Sequence, residues 1–136
     1  MIYETQIQFI EADSNGNDRT RKQKFIVLEA VNHGDAEEQT FEENDGLTDL
    51  DVVAVKRSKI KEIVNTRSTD EEKIFIADVV ETQIDEEGEE HELVYKMALF
   101  AANIDKAHAY MKDWLKQGYN MQLSGLKCTK FVDTIG

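Results

Sequence analysis

Three histidines, one cysteine and an acidic run are the side chains of this sequence best suited to metal or covalent chemistry. His33, His91 and His108 fit no HxxxH, HxH or Cys-His spacing, so no two of them are placed as ligands on one helix face or in one turn. "DEEGEEHE", residues 85–92, gathers seven side chains able to offer a metal ligand around Gly88. It lacks the ordered D-x-D-x-D-G and distal Glu of a calcium loop, and like-charge runs of this kind belong to solvated hairpin tips. Cys128 is the only cysteine, which excludes an intrachain disulfide and a thiolate cluster. With apolar neighbours on a predicted strand it reads as a packing residue. Phosphate-loop, dinucleotide-binding and nucleophile-elbow patterns do not occur. Carboxylates abound, but a pair works as acid and base only where a cleft drives their pKa values apart. The expectation is no catalytic residue, no metal site and no cofactor.

The bases are fewer and more clustered. Arg19, Arg21, Lys22 and Lys24, then Lys56, Arg57, Lys59 and Lys61, make up eight of the sixteen Lys and Arg. If their strands are neighbours in one unit, they form a positive patch suited to a nucleotide, a single-stranded nucleic acid or an acidic protein. The plainer reading is that these charges guard a sheet edge against aggregation. The chain as a whole carries 28 acids, a net charge of -12 and a pI near 4.6, which disfavours non-specific attraction to nucleic acid or to an anionic membrane. No basic start leads into an apolar stretch, and no apolar run approaches the roughly 20 residues that span a bilayer. A cytoplasmic protein is expected.

What positions these side chains is an internal repeat. "AVNHGDAEE", residues 30–38, and "AANIDKAHA", residues 101–109, align without a gap at an offset of 71. The same offset pairs Leu50 with Met121, Val52 with Leu123, Val55 with Leu126, Lys56 with Lys127, Lys59 with Lys130, Ile60 with Phe131 and Val64 with Ile135. Towards the amino terminus it shifts by one, so that Gly16 meets Gly88; loops tolerate such shifts. Each half reads strand, turn, strand, helix, strand. The strands are expected at 2–10, 24–30 and 49–64, then at 73–83, 92–101 and 120–135, with Gly16 and Gly88 supplying the positive φ of tight hairpins.

The two helices differ. In the second, Ala107, Tyr110, Met111, Trp114 and Leu115 form a core-facing stripe, with Asp105 as N-cap and Gly118 as the C-terminal stop. The matching positions of the first are Ala36, Gln39, Thr40, Glu43 and Asn44, a mostly polar set in which Ala36 and Phe41 keep apolar contact. Asp35, Glu37 and Glu38 crowd its first turn, where carboxylates favour the positive end of the helix dipole. Such a helix is either half-exposed or an acidic docking surface for a basic partner. The second half, with more core, is expected to be the more stable. The hairpin tips also differ, basic around Gly16 and acidic around Gly88. If both project the same way, the molecule has a positive and a negative end, favouring self-association or an oriented partner.

The fold class expected is therefore α+β: two tandem ββαβ repeats, residues 1–66 and 67–136, in a single compact domain. A pseudo-twofold relates them, and their two helices pack on an antiparallel or mixed sheet. "MIYETQIQF", the joints "EAVNHGDAEE" and "FAANIDKAHA", and the closing strands "KRSKIKEIV" and "LKCTKFVDTI" resemble an uncharacterised family of small phage and mobile-element proteins of Bacteroidetes-type bacteria. The joints use Gly34 and Asp105 where that family usually has a Ser or Thr N-cap. The resemblance implies an α+β fold and a phage-type accessory protein, with no activity or functional residue to carry over. Function is expected to be non-enzymatic: binding another protein, as an inhibitor of a host factor, with homo-oligomer formation a further expectation and no membrane association. The alternative is binding of a nucleotide or single-stranded nucleic acid through Arg19, Arg21, Lys22, Lys24, Lys56, Arg57, Lys59 and Lys61.

Overall fold

Tyr3, Thr5, Ile7 and Phe9 are buried while Glu4, Gln6 and Gln8 between them are half exposed, the period-two signature of a strand with one covered face. A computed structural model, describing residues 1–117 and 120–136, shows an α+β protein with two helices and eight strands. In chain order these are β1 (Tyr3–Ala12), β2 (Asp18–Val27), α1 (His33–Glu43), β3 (Thr48–Arg57), β4 (Ile60–Ile63), β5 (Lys73–Ile84), β6 (Glu90–Ala101), α2 (Ile104–Leu115), β7 (Met121–Cys128) and β8 (Phe131–Ile135).

The strands form two four-stranded sheets, β3-β1-β2-β8 and β4-β6-β5-β7. Each is mixed: the hairpins β1–β2 and β5–β6 and the pairings β1–β3 and β5–β7 are antiparallel, whereas β2–β8 and β4–β6 are parallel. The chain makes two compact units, Met1–Lys59 with Lys130–Gly136, and Ile60–Thr129. The expected closing strands at 49–64 and 120–135 are each two strands. After Arg57, the Ser58 amide donates to the Ile2 carbonyl and ends the ladder with β1, and Ile60 begins a new pairing beside Lys96 of β6. Likewise the Thr129 amide donates to the Ile74 carbonyl, and Phe131 opens the pairing with Lys24 of β2. Each sheet thus takes its last, parallel strand from the other half of the sequence.

In the first unit α1 packs over β1, β2 and β3. The core beneath it is Tyr3, Ile7, Phe9, Phe25, Val27, Ala30, Ala36 and Ile135, with Leu50, Val52 and Val55 at its margin. In the second, α2 covers Phe75, Ala77, Val79, Met97 and Leu99 with Ala107, Met111 and Leu115. Burying a side chain such as Met111 fully is worth roughly 1.5–3 kcal/mol. Tyr110, read as core-facing, and Phe41, expected to keep apolar contact, are 39% and 46% exposed; the Tyr110 hydroxyl donates to the Val64 carbonyl at 3.2 Å.

Both helices are capped by an asparagine, not by Gly34 or Asp105. Asn32 Oδ1 accepts from the Asp35 amide at 2.8 Å and Asn103 Oδ1 from the Lys106 amide at 2.9 Å. The extended backbone at these residues lets the side chain reach an otherwise unpaired first-turn amide. The stop expected at Gly118 lies outside the described residues. Cys128, expected to pack, is exposed at the end of β7, where it stands on an edge strand rather than under the helix.

Candidate functional site

The two hairpin tips share one construction. The β1–β2 ladder ends at Ala12 opposite Asp18 and the β5–β6 ladder at Ile84 opposite Glu90, each leaving a five-residue loop. In the first loop the Asp13 amide donates to the Asn17 carbonyl and the Gly16 amide to the Asp13 carbonyl; in the second, Asp85, Glu89 and Gly88 repeat those bonds. Asp13 Oδ1 accepts from the Asn15 and Asn17 amides, as Asp85 Oδ1 does from Glu87 and Glu89, all at 2.9 Å. Gly16 and Gly88 sit at φ of 78° and 82°, a region costly for residues with a Cβ.

The remaining carboxylate oxygen faces a nitrogen base at the same place in both. Arg19 Nε donates to Asp13 Oδ2 at 3.0 Å, and His91 Nε2 lies 2.7 Å from Asp85 Oδ2. Hydrogen bonds from the Asn17 backbone and then from Arg19 hold the Asp13 carboxyl below its ordinary 3.8. At Asp85 the leading cause of the same downward displacement is the hydrogen bond with His91, followed by the Glu89 amide. Asp-x-x-Gly-x-x-Arg in one half and Asp-x-x-Gly-x-x-His in the other is the sequence signal of this shared loop, and it matches no metal-ligand spacing. The loop also brings Asp85, Glu89 and His91 together, one ligand atom of each lying within 4.8 Å of the others, all three exposed. Exposed carboxylates commonly gather in this way without an ion.

The bases scatter. Lys22, Lys24 and Lys56 fall on the sheet face away from α1, in register with Gln8, Gln6 and Glu4. Arg19 and Arg21 alternate with them along β2, and Arg19 is occupied by Asp13. Arg57 is the last residue of β3, opposite Tyr3, and Lys59 ends the first unit's main segment. Lys61 belongs to the second unit, its Nζ 3.8 Å above the Tyr95 ring. What the first unit does assemble is a shallow groove of about 180 Å³ lined by Glu4, Gln6, Lys24, Ala54, Lys56 and Phe131. Glu4 Oε1 lies 3.8 Å from Lys56, so the groove is not purely positive. At the matching place in the second unit Lys96 is joined to Asp78 at 2.9 Å, whereas Lys24 stands opposite the neutral Gln6.

Of the histidines, His33 meets the Tyr3 ring edge-on, with centroids 5.0 Å apart. His108 lies on the exposed side of α2 beside Lys112.

The outward side of α1 has a different character. Glu37, Phe41 and Asp45 recur four residues apart along the helix and into the turn that follows it, and all three are exposed. Phe41 is an exposed ring standing between two carboxylates. Glu38 and Glu42, also exposed, extend the acidic surface.

The molecule is thus an α+β protein of two helix-covered mixed sheets whose equivalent surfaces carry different charge. Over residues 1–135 it matches the family model described as Domain of unknown function (DUF4494), and the chain belongs to that family. No curated protein matches it.

Proposed function

We propose that this protein is a non-enzymatic accessory module that acts by binding another protein through the outward stripe of α1. The observation carrying this reading is Phe41, 46% exposed and bordered by Glu37 and Asp45. Burying such a ring against a partner removes apolar surface from water, while bordering charges select a basic partner and speed encounter. In a phage-encoded setting the partner is a host factor that the module inhibits in the host cytoplasm. No helix among the described residues is long and apolar enough to cross a membrane.

The test is capture from lysate of the bacterium carrying the sequence, using the wild type beside a Glu37→Lys/Phe41→Ser/Asp45→Lys variant. A specific protein retained by the wild type and lost with the variant is the expected result. Identical capture by both, or none by either, removes the reading.

A second reading is favoured by the groove that holds Lys24, Lys56 and Phe131 together: two cations for phosphate and a ring on which a base can stack suit a nucleotide or short single strand. A thermal-shift series with nucleotides and oligonucleotides checks it. Stabilisation abolished by Lys24→Glu/Lys56→Glu is expected; no stabilisation, or one untouched by that change, excludes it.

A further inference from the structure

The second unit offers a counterpart to the α1 stripe. Between α2 and the edge strand β7 lies a groove of about 520 Å³ floored by Leu115, Met121 and Leu123 and bordered by His108, Lys112 and Lys116. The three bordering residues are four apart, as Glu37, Phe41 and Asp45 are, and each is exposed. The offset of 71 that equates the helix caps Asn32 and Asn103 places His108 where α1 has Glu37, Lys112 where it has Phe41 and Lys116 where it has Asp45. Strand register confirms the match, since Val52 pairs with Ile7 of β1 as Leu123 pairs with Val79 of β5. On the neighbouring edge strand the exposed Gln122 corresponds to the exposed Asp51. One position in one fold is therefore acidic around an outstanding aromatic in the first unit and basic around an open apolar groove in the second. The basic border is slightly tempered by Asp113, 3.4 Å from Lys116, with both side chains largely in solvent.

We infer that the partner of the α1 stripe is a second copy of this chain, whose α2–β7 groove receives Phe41 while Lys112, Lys116 and His108 face Glu37 and Asp45. This rests on the reading of that stripe as a docking surface and puts a second copy of the chain in the place of the host factor as its partner. The contact is heterologous, because the two patches are different surfaces of the chain; each copy keeps one patch unused, and association runs on unless it closes into a ring. The net charge of -12 opposes association at long range. At about 0.15 M salt, however, charges are screened beyond about 8 Å, and the short-range pairs at the stripe decide the outcome.

The test is analytical ultracentrifugation over a concentration series, at about 0.15 M and again at about 0.5 M salt, where the Debye length is roughly halved. The wild type is expected to associate at the lower salt and to weaken by about tenfold or more at the higher, as charge-steered contacts do. Lys112→Glu/Lys116→Glu reverses the groove border, and Glu37→Lys/Asp45→Lys reverses the stripe. Each variant alone is expected to be monomeric, while the two mixed associate again with the variants alternating, because the stripe of each then meets a groove border of opposite charge on the other.

A wild type that stays monomeric overturns the inference, as does an association that both variants retain. Two monomeric variants that fail to associate when mixed overturn it as well, since mixing restores opposite charge between stripe and groove. Should a reversed variant fail to fold, the neutral pair Lys112→Gln/Lys116→Gln gives the same readout. A monomeric wild type that still captures a lysate protein through Glu37, Phe41 and Asp45 removes the self-partner and leaves the docking stripe standing.

Discussion

Thr5 and Thr40 in the first unit occupy the places of Ala77 and Met111 in the second, and all four are buried. The first unit fills that space with two small polar residues, Oγ1 to Oγ1 at 2.8 Å, and the Thr40 hydroxyl also reaches the Ala36 carbonyl. The second fills it with a small residue and a long apolar one. Both solutions close the same gap between helix and sheet, but they fail differently: a hydroxyl left alone is penalised by desolvation, a truncated methionine by an empty volume. A helix face that looks polar by composition is therefore compatible with a tight core, provided its polar atoms meet each other.

Met111→Ala gives the largest expected effect. It should lower the stability of the second unit by about 2–5 kcal/mol, read by denaturant titration on Trp114 fluorescence, since Trp114 packs on that core. A loss under about 1 kcal/mol would mean that α2 collapses onto the sheet and the methionine is not what fixes it.

Thr40→Val comes next. It strands the Thr5 hydroxyl and should cost about 1–3 kcal/mol. Grafting the other unit's solution, Thr5→Ala/Thr40→Met, should cost less than the sum of its single changes, because volume removed on β1 is restored from α1. An additive double change would show that the two positions are not interchangeable between units.

The smallest effect concerns the hairpin tips. With folded values held below 3.8, Asp13 and Asp85 each contribute stability that is present above the unfolded value and is lost as pH falls through the folded one, that is, below 3.8. Carboxyl NMR titration should show His91→Ala moving Asp85 upward further than Arg19→Ala moves Asp13. His91 is the leading cause at Asp85, while a backbone amide leads at Asp13. Equal movements would reduce the two tips to one.

The duplication was legible because it rests on spacing: Ala36 and Ala107, Leu50 and Met121, Val52 and Leu123 keep one offset, and the strands and helices that carry them do so too. Hairpin alternation from Tyr3 to Phe9 located β1 for the same reason. What could not be read was non-local. Nothing within the run from Asp49 to Val64 tells Arg57 that its neighbour is β1 or Ile60 that its neighbour is β6, since apolar residues continue on both sides of the break, Val52 and Val55 before it and Ile60 and Ile63 after it. The N-caps were misplaced at Gly34 and Asp105 because the helices begin earlier than their composition suggests, and only the extended backbone at Asn32 and Asn103 decides which side chain reaches an amide. The candidate site was half visible: acids on α1 stand out in the sequence, but the exposure of Phe41 depends on Thr40, its neighbour, having taken the buried position.

The placement of β8 beside β2 bears on synthesis. Ile135 is buried in the first unit's core and its carbonyl accepts from the Leu28 amide, so a nascent chain lacks the strand that completes its earliest-made sheet until residues 130–136 have left the ribosome. The segment Ile60–Thr129 needs nothing translated before or after it to pair all four of its strands. The later-made unit can therefore mature first, with the amino-terminal half held waiting for residues 130–136.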